Sequence, residues 1–207
     1  MKIVNLFLFF YFILNFTTSF SQNINMTKEV DEIIVQGKDS IVQLALNLVD
    51  EHVDVQYFSK VKVMTDGSKV YVSLRNLIKY LPMNTCFYFD LSVELIEKTI
   101  SYGLVVNGKE EGSSTTFYRK TPESTKRIQF VIDAINKSDE ISSINIEAFD
   151  DDMIIREFEK YYVINVFSDY QESSYKIDKL SGEIYDVEHA HFEPLTFEGE
   201  SEMVEVK

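Results

Sequence analysis

The chain has 207 residues, which fits one domain or two small ones, because domains commonly hold about 100–200 residues. Its formal net charge of −14 disfavours binding to nucleic acid and anionic lipid surfaces. The same charge fits a basic protein partner, bound cations or simply high solubility, and solubility is the favoured interpretation. Aromatic residues make up 14% of the chain, enough for a sizeable core, and the single cysteine, Cys86, excludes an intramolecular disulfide.

The first 21 residues have the pattern of a secretory signal peptide. Lys2 supplies a positive charge, residues 3–16 are almost entirely apolar, and the small residues Ser19 and Ser21 precede a cut before Gln22. The apolar run is shorter than the ~20 residues that a membrane-spanning helix needs. The sequence therefore predicts bacterial export to the periplasm or the medium, with no stable membrane insertion after cleavage. An uncleaved membrane anchor is the alternative.

The next segments predict a linker and a helix. Residues 22–37 are polar and mixed in charge, and predict a linker or a poorly ordered arm. Apolar residues then recur at helical spacing, and Ser40 and Gln43 fit a capping box, so a helix is predicted over 39–52.

A run of predicted strands follows. Alternating apolar residues on both sides of Asp66-Gly67 predict a hairpin. Residues 74–81, LRNLIKYL, predict a short helical turn before Pro82. Residues 91–102 fit either a strand or a helix, and the alternation from Phe87 to Leu95 favours strands. A further strand is predicted over 114–120.

The second half repeats the order of helix and strands. Thr121 as N-cap, Pro122 at the first helical position and an apolar stripe predict a second helix. The predicted strands after it cover 142–149, 160–168, 173–180 and 182–192, and an acidic tail follows at 193–207.

These elements predict an α+β fold with mostly antiparallel meander sheet and two principal helices packed on one face. The order of elements suggests two α+β modules, over 38–120 and 121–192, each with three or four strands. One larger sheet carrying both helices is the alternative, since no repeat of fixed period is visible in the sequence.

Two histidines raise the question of a metal site. His189 and His191 are two residues apart on a predicted strand, so their side chains share a face and could bind a transition metal if a third ligand came from elsewhere. Glu188 would point to the opposite face. Because strong zinc signatures contain two spaced motifs, the pair favours a solvated edge strand over a metal site.

The other acidic and catalytic patterns in the sequence do not indicate a functional site. The acids at 150–152 lack the alternation and the glycine of a calcium loop, which favours a solvated turn. No nucleophile elbow, phosphate-binding loop or dinucleotide fingerprint occurs, and no cofactor is indicated. The sequence thus favours a protein that is not an enzyme.

Tyrosines cluster around one predicted hairpin. Tyr161, Tyr162, Tyr170 and Tyr175 lie near acidic residues, and exposed tyrosines of this kind are useful at protein interfaces. We take Tyr161, Tyr170 and Tyr175 as the candidate binding residues. Half-buried aromatic residues of a sheet are the alternative interpretation.

The hairpin at 161–188 resembles the closing hairpin of PepSY-like, cystatin-like and nuclear-transport-factor-like small domains. Tyr162, Ile164 and Val166 match a Y-x-V-x-V strand, and the matching turn residues are Ile177, Asp178, Ser181, Gly182, Glu183 and Ile184. With the helix before it, the resemblance extends over about 121–192. It implies a helix across a curved antiparallel sheet and a mostly non-enzymatic role as an inhibitor, an immunity protein or an extracytoplasmic binding module.

The expected function is therefore an exported, non-catalytic binding or inhibitory module that recognises a protein or a small ligand, with a basic protein as the favoured partner. The alternative is a metal-dependent or hydrolytic envelope protein that uses His189 and His191.

Overall fold

The computed structural model describes residues 25–49, 53–108, 115–138, 152–168, 171–191 and 203–206. In these ranges the helices are α1 (Lys28–Ile34), α2 (Lys38–Leu46) and α3 (Pro122–Lys137), and a 3-10 turn covers Val55–Tyr57. The signal-peptide segment, His52, Tyr170 and the strand predicted over 142–149 lie outside the described residues. None of the helices in the described ranges is long and apolar enough to cross a bilayer.

The strands form two sheets. They are β1 (Lys60–Thr65), β2 (Val70–Arg75), β3 (Ile78–Leu81), β4 (Thr85–Glu94), β5 (Thr99–Asn107), β6 (Thr116–Phe117), β7 (Asp152–Glu157), β8 (Tyr161–Ser168), β9 (Gln171–Asp178), β10 (Ile184–His191) and β11 (Val204–Glu205). The first sheet has the order β11-β1-β2-β4-β5, with β6 beside β4, and the second has the order β10-β9-β8-β7-β3. The pairs β3–β7 and β4–β6 are parallel and the other named pairs are antiparallel, which confirms the α+β class.

Two buried clusters form the core, and β4 of the first sheet contributes to both, with Phe89 in one and Leu91 and Val93 in the other. Helix α3 contributes Ile128, Val131 and Ile135 to a cluster that contains Ile164 and Ile177 of the second sheet. Fully burying an aliphatic side chain of this size stabilises the fold by about 1.5–3 kcal/mol. The helix is well placed for this packing because Thr121 and Ser124 form a capping box at its start, next to Pro122 at the first helical position.

Helices α1 and α2 share a second cluster with the first sheet. Val30, Ile41 and Ala45 are fully buried there beside valines of β1, β2 and β4. Residues 28–34 are thus helical although the sequence predicted a linker over 22–37, because Val30 enters this core and the Thr27 hydroxyl accepts from the Val30 backbone N–H.

Helix α2 differs from its predicted bounds at both ends. It begins at Lys38, directly after Gly37. Gly37 has a φ of +82° and, as a glycine, has no side chain that could cap the helix. Ser40 therefore lies inside the first turn, and the predicted Ser40–Gln43 capping box is wrong. The helix ends at Leu46 rather than near His52, because its backbone turns at Asn47.

Most strand predictions in the first half are confirmed, but the strand predicted over 114–120 is limited to Thr116–Phe117 in the described residues. The Asp66-Gly67 hairpin joins β1 and β2, and the strand interpretation of residues 91–102 holds for β4 and β5, which separate at a turn after Glu94. The helical turn predicted over 74–81 is wrong, because Ile78–Leu81 form β3 and pair in parallel with β7. This partner lies more than 70 residues away along the chain, so local periodicity could not indicate it.

The two sheets exchange strands across the predicted module boundary at 120/121. Strand β3, from the first half, completes the edge of the second sheet, and β11, from the last residues of the chain, pairs with β1 of the first sheet. Part of the acidic tail at 193–207 is therefore ordered as a strand. Val206 reinforces this pairing, because its backbone N–H donates to the Val63 carbonyl at 2.8 Å.

Candidate functional site at the start of helix α3

A first group of charged side chains, which we call the junction cluster, connects both sheets. It consists of Arg75, Lys79, Asp90 and Asp152. Lys79 Nζ donates to Asp90 Oδ2 at 2.5 Å and to Asp152 Oδ2 at 3.0 Å. Arg75 Nη2 donates to the same Asp152 oxygen at 2.7 Å. The Lys79 side chain is only 6% exposed, and its burial is tolerated because two cations face two carboxylates.

The junction cluster explains why residue 103 of β5 is a glycine. A Cβ on Gly103 would lie 2.7 Å from Asp90 Cβ and 2.9 Å from Asp90 Oδ2. Glycine therefore lets β5 pass close to Asp90, where β4 shifts register after Tyr88. Asp90 Oδ1 also accepts from the Asn76 backbone N–H at 3.1 Å, so the carboxylate is held on both oxygens.

A second group, which we call the Glu157 cluster, lies at the start of α3 and consists of Tyr80, Glu157 and Lys179. The Tyr80 hydroxyl donates to Glu157 Oε2, and Lys179 Nζ donates to Glu157 Oε1 at 2.5 Å. Lys179 Nζ also donates to the Phe158 carbonyl at 2.7 Å and lies 5.2 Å from the centre of the Tyr162 ring. The Glu157 side chain is 15% exposed.

These contacts keep Glu157 ionised. Burial acts to raise the pKa of the Glu157 carboxyl, but the hydrogen bonds from Lys179 and Tyr80 outweigh it and hold the pKa below its ordinary value. Burial and the hydrogen bond to Glu157 raise the pKa of the Tyr80 hydroxyl far above its ordinary value. The Glu157 cluster is thus a fixed carboxylate beside a neutral phenol and a lysine.

Two clefts flank the Glu157 cluster. The basic cleft, of about 510 Å³, is lined by Lys126, Arg127 and Lys179 together with the rings of Phe130 and Tyr162. Glu123 lines this cleft and also the cleft on the other side of the Glu157 cluster. Arg127 Nη1 donates to the Tyr162 hydroxyl at 3.5 Å, which holds the guanidinium against that side of the cleft.

The aromatic cleft, of about 250 Å³, lies on the other side. Its lining includes the rings of Tyr80, Phe87 and Tyr118 and the carboxylates of Glu123 and Glu157. Lys179 lines the basic cleft and Tyr80 lines the aromatic cleft, so the Glu157 cluster forms a wall between clefts of different chemistry.

The Tyr118 hydroxyl is a buried polar group without a hydrogen-bond partner in the described part of the chain. Tyr118 is 5% exposed, and its ring stacks on Phe89 with the ring centres 4.7 Å apart. Burial raises the pKa of this hydroxyl, and the neighbouring Ser124 hydroxyl opposes the rise. Ser124 Oγ uses its one proton on the Thr121 carbonyl, so it does not donate to the Tyr118 hydroxyl. Tyr118 also lines a third cleft, of about 360 Å³, beside the 3-10 turn.

The candidate tyrosines do not form one patch. Tyr161 is half-buried on the face of β8 opposite to Tyr162, where it stacks on Phe158 with ring centres 5.1 Å apart. Tyr175 is 4% exposed and pairs with Ile164 on the opposite, helix-covered face. Tyr170 lies outside the described residues. Tyr175 is therefore a core residue, as the alternative interpretation of the sequence had it.

The two histidines lie on β10, which is the outermost strand of the second sheet within the described ranges. His189 pairs with Ser173 and His191 with Gln171, and both imidazoles are exposed. His189 Nδ1 is 2.8 Å from Ser173 Oγ, and its ring packs edge-on against Tyr175. A search of the described residues finds no group of three or more His, Cys, Asp or Glu placed to hold a metal ion.

Asp152 corrects the expectation for the acids at 150–152. It does not lie in a solvated turn, because it begins β7 and accepts from Arg75 and Lys79 in the junction cluster. Cys86 is 5% exposed and therefore buried.

Comparison of the chain with protein-family models, curated proteins and solved structures finds no match. The resemblance to PepSY-like and cystatin-like domains therefore stays a prediction.

No sequence pattern indicated the Glu157 cluster or the two clefts. Tyr80 lies on β3, which was predicted to be helical, and Glu157 and Lys179 lie at the ends of different strands. Their proximity depends on the parallel pairing of β3 with β7, which brings Tyr80 opposite Ile155, two residues before Glu157.

Proposed function

We propose that the mature chain is an exported, non-catalytic protein-binding module of inhibitory or immunity type, and that its partner is a basic protein. The observation that carries this proposal is a group of exposed apolar side chains on the β9–β10 hairpin. Leu180 is 97% exposed at the turn, and Tyr185 and Val187 on β10 are each 37% exposed. Apolar side chains grouped on a surface mark interaction sites more often than isolated ones do.

The charge around this hairpin supports a basic partner. Glu183 and Glu188 are exposed beside the apolar residues, and Asp186 pairs with Lys176 at 2.8 Å. The whole chain carries a formal charge of −14. Opposite charges on two partners accelerate their association and suppress binding of the wrong partner.

We also propose that the chain consists of two α+β modules, the second related to PepSY-like or cystatin-like domains. The packing of α3 against the second sheet, and of α1 and α2 against the first, supports this division. Export with cleavage before Gln22 is part of the same proposal, and the N-terminal sequence of the secreted protein tests it. A mature protein that begins at Met1 would contradict it.

The test is affinity capture from the envelope fraction of the native organism with the chain that begins at Gln22. The wild type is compared with the double variant Leu180→Ser/Tyr185→Ser. We expect capture of a basic protein, weakened by about tenfold or more in the variant, because exposed aromatic and aliphatic anchors commonly carry most of the binding energy.

The matched control is Val35→Ser/Met83→Ser, which removes two other exposed apolar side chains that are 74% and 47% exposed. We expect this variant to capture the partner as the wild type does. Equal capture by all three proteins would contradict the proposed site, and capture of acidic proteins alone would contradict the proposed partner.

The second candidate function is hydrolytic, and the observation that favours it is the hydrogen bond between Ser173 and His189. A serine beside a histidine can be activated as a nucleophile. Ser173 is 7% exposed, which restricts the access of a substrate and makes this the weaker candidate. Hydrolysis of a simple aryl ester that is lost in Ser173→Ala and kept in Ser174→Ala would support it, and equal rates in both variants would exclude it.

The metal-dependent form of this alternative uses His189 and His191. Metal content after purification tests it, with His191→Ala compared with the wild type. Equal metal content in the two proteins would contradict it.

A further inference from the structure

The aromatic cleft combines features that the proposed function does not use. The rings of Tyr80, Phe87 and Tyr118 line a space that also contains the carboxylates of Glu123 and Glu157. Aromatic faces attract cations through the ring quadrupole, and carboxylates do so by direct charge. The two kinds of group together make a cation-binding lining in a chain that is acidic overall.

Each carboxylate has one cation beside it. The Glu123 side chain is 80% exposed, and its Oε1 is 3.7 Å from Arg127 Nη2. Glu157 is ionised, and each of its oxygens accepts one hydrogen bond, from Tyr80 and from Lys179. A carboxylate has about four lone-pair sites, so Glu157 can accept further donors. Lys179 lines the basic cleft, so its positive charge contacts Glu157 from the side of that cleft.

The one cation in the lining of the aromatic cleft is Arg119, within the residues that the structure describes. Its guanidinium carbon lies 4.7 Å from the centre of the Tyr57 ring. Tyr57 lines the third cleft, beside the 3-10 turn, and is not part of the aromatic cleft. The guanidinium keeps its charge while it stacks on this neighbouring ring, so the lining holds one cation against the two carboxylates of Glu123 and Glu157.

The Tyr118 hydroxyl is the independent sign that the cleft is incomplete. It is buried without a hydrogen-bond partner in the described ranges, where an unpaired polar group is unfavourable. A ligand group that donated to this hydroxyl or accepted from it would remove that cost. An ammonium or guanidinium group can donate to it, and the two carboxylates of the lining disfavour an anion that would accept from it.

We propose that the aromatic cleft binds one cationic side chain, a lysine or an arginine, presented by a basic polypeptide. The cleft volume of about 250 Å³ is below the range of about 300–1,000 Å³ typical of small-molecule sites and suits a single side chain. Lys179, which forms the wall of the cleft, precedes the exposed Leu180, so one partner can contact the hairpin and the cleft together. The inference rests on the proposed function only in taking the partner to be a protein.

The direct test measures binding of fluorescein-labelled hexalysine, hexaarginine and hexaglutamate by fluorescence anisotropy at low salt. We expect the two cationic peptides to bind and hexaglutamate not to bind. Glu123→Gln and Phe87→Leu should each weaken binding of the cationic peptides by about fivefold, as expected for the loss of one charge or one ring from a partly desolvated cation site. A preference for one of the two cationic peptides identifies the side chain.

Two matched controls separate the cleft from general charge attraction. Glu29→Gln removes an exposed acid from α1, and Phe130→Leu removes a ring from the basic cleft. Both should bind the cationic peptides within about twofold of the wild type. Equal weakening by Glu29→Gln and Glu123→Gln would overturn the proposal, as would absence of binding by both cationic peptides. If Phe87→Leu lowers stability, Glu123→Gln still tests the cleft, because Glu123 is exposed and its substitution should leave the fold intact.

The proposal and the proposed function fail in different experiments. If Leu180→Ser/Tyr185→Ser loses the captured partner while Glu123→Gln keeps full affinity for the partner and for the peptides, the cleft proposal is overturned and the binding function stands. If Glu123→Gln weakens peptide binding but no captured protein depends on Leu180 or Tyr185, the cleft proposal stands and the proposed function fails.

Discussion

The junction cluster and the Glu157 cluster contain the same chemistry in different surroundings. In each cluster, a lysine with little exposure donates to a carboxylate at 2.5 Å. Each cluster also contains a hydrogen bond from a side chain of β3 to a carboxylate of β7. The junction cluster has two cations for two carboxylates and lines none of the three clefts described above. The Glu157 cluster forms the wall between two of them.

The difference shows that a buried ion pair is not by itself a functional signal. The junction cluster has balanced charges and holds the two sheets in one arrangement, although Asp152 Oδ1 is buried without a hydrogen-bond partner in the described residues. The Glu157 cluster places its carboxylate beside rings and space, where a further cation can reach it. Access to a cleft, rather than burial alone, distinguishes the two. Four predictions test this distinction, from the largest expected effect to the smallest.

Removal of the central cation of the junction cluster should have the largest effect. Lys79→Met leaves Asp90 and Asp152 buried without their shared partner, and we expect a loss of about 3–5 kcal/mol in the free energy of unfolding, measured with urea. Lys69→Met is the control, because Lys69 pairs with Glu97 on the surface, and its loss should be far smaller. Equal losses in the two variants would show that the junction cluster does not join the sheets.

Glu157→Gln should lower stability by about 2–3 kcal/mol at neutral pH, as expected for hydrogen bonds to a charged group. Because the folded pKa of Glu157 lies below its unfolded value of about 4.3, its contribution is complete above that value and is lost as the pH falls through the folded pKa. The stability difference between wild type and variant should therefore shrink below about pH 4. A difference that stays constant from pH 7 to pH 3 would contradict the assignment.

Gly103→Ala should disturb the junction cluster and leave the Glu157 cluster intact. The new Cβ would meet Asp90, and overpacking of this kind costs about 1–3 kcal/mol in the free energy of unfolding. Binding of hexalysine at the aromatic cleft should stay unchanged if the folded protein is assayed. Ser101→Ala, at an exposed position of the same strand, is the control, and an equal effect there would show that the close approach to Asp90 is unimportant.

Thr121→Ala should have the smallest effect, about 1 kcal/mol in the free energy of unfolding. The Thr121 hydroxyl accepts from the Ser124 backbone N–H at 3.1 Å and caps α3 beside the aromatic cleft. Thr121→Ser keeps the cap and should restore most of the stability. Failure of serine to do so would mean that the threonine methyl group, rather than the cap, provides the stabilisation.

Local patterns were sufficient for the elements whose partners are close along the chain. Thr121 and Pro122 predicted the start of α3, and Asp66-Gly67 predicted the first hairpin, because capping and turn conformations depend on a few adjacent residues. The alternation from Phe87 to Leu95 likewise predicted a strand. The same kind of pattern misplaced the start of α2, because Gly37 begins that helix without a side-chain cap.

The candidate site depended on long-range pairing that local patterns do not contain. The two histidines were visible in sequence but lie exposed on an outer strand, and Tyr161 and Tyr175 proved to face opposite sides of the sheet. The Glu157 cluster was not visible, because Tyr80 and Glu157 are separated by 77 positions.

The sequence by itself therefore determined the charge, the α+β class, the hairpins and the main amphipathic helix, because each follows from composition or from the periodicity of adjacent residues. Only the tertiary structure decided that β3 joins the second sheet and that β11 joins the first. It also decided which lysine–carboxylate pair is enclosed and which adjoins a cleft. The physical reason is that strand exchange and side-chain access depend on partners far apart in the chain, which no local pattern encodes.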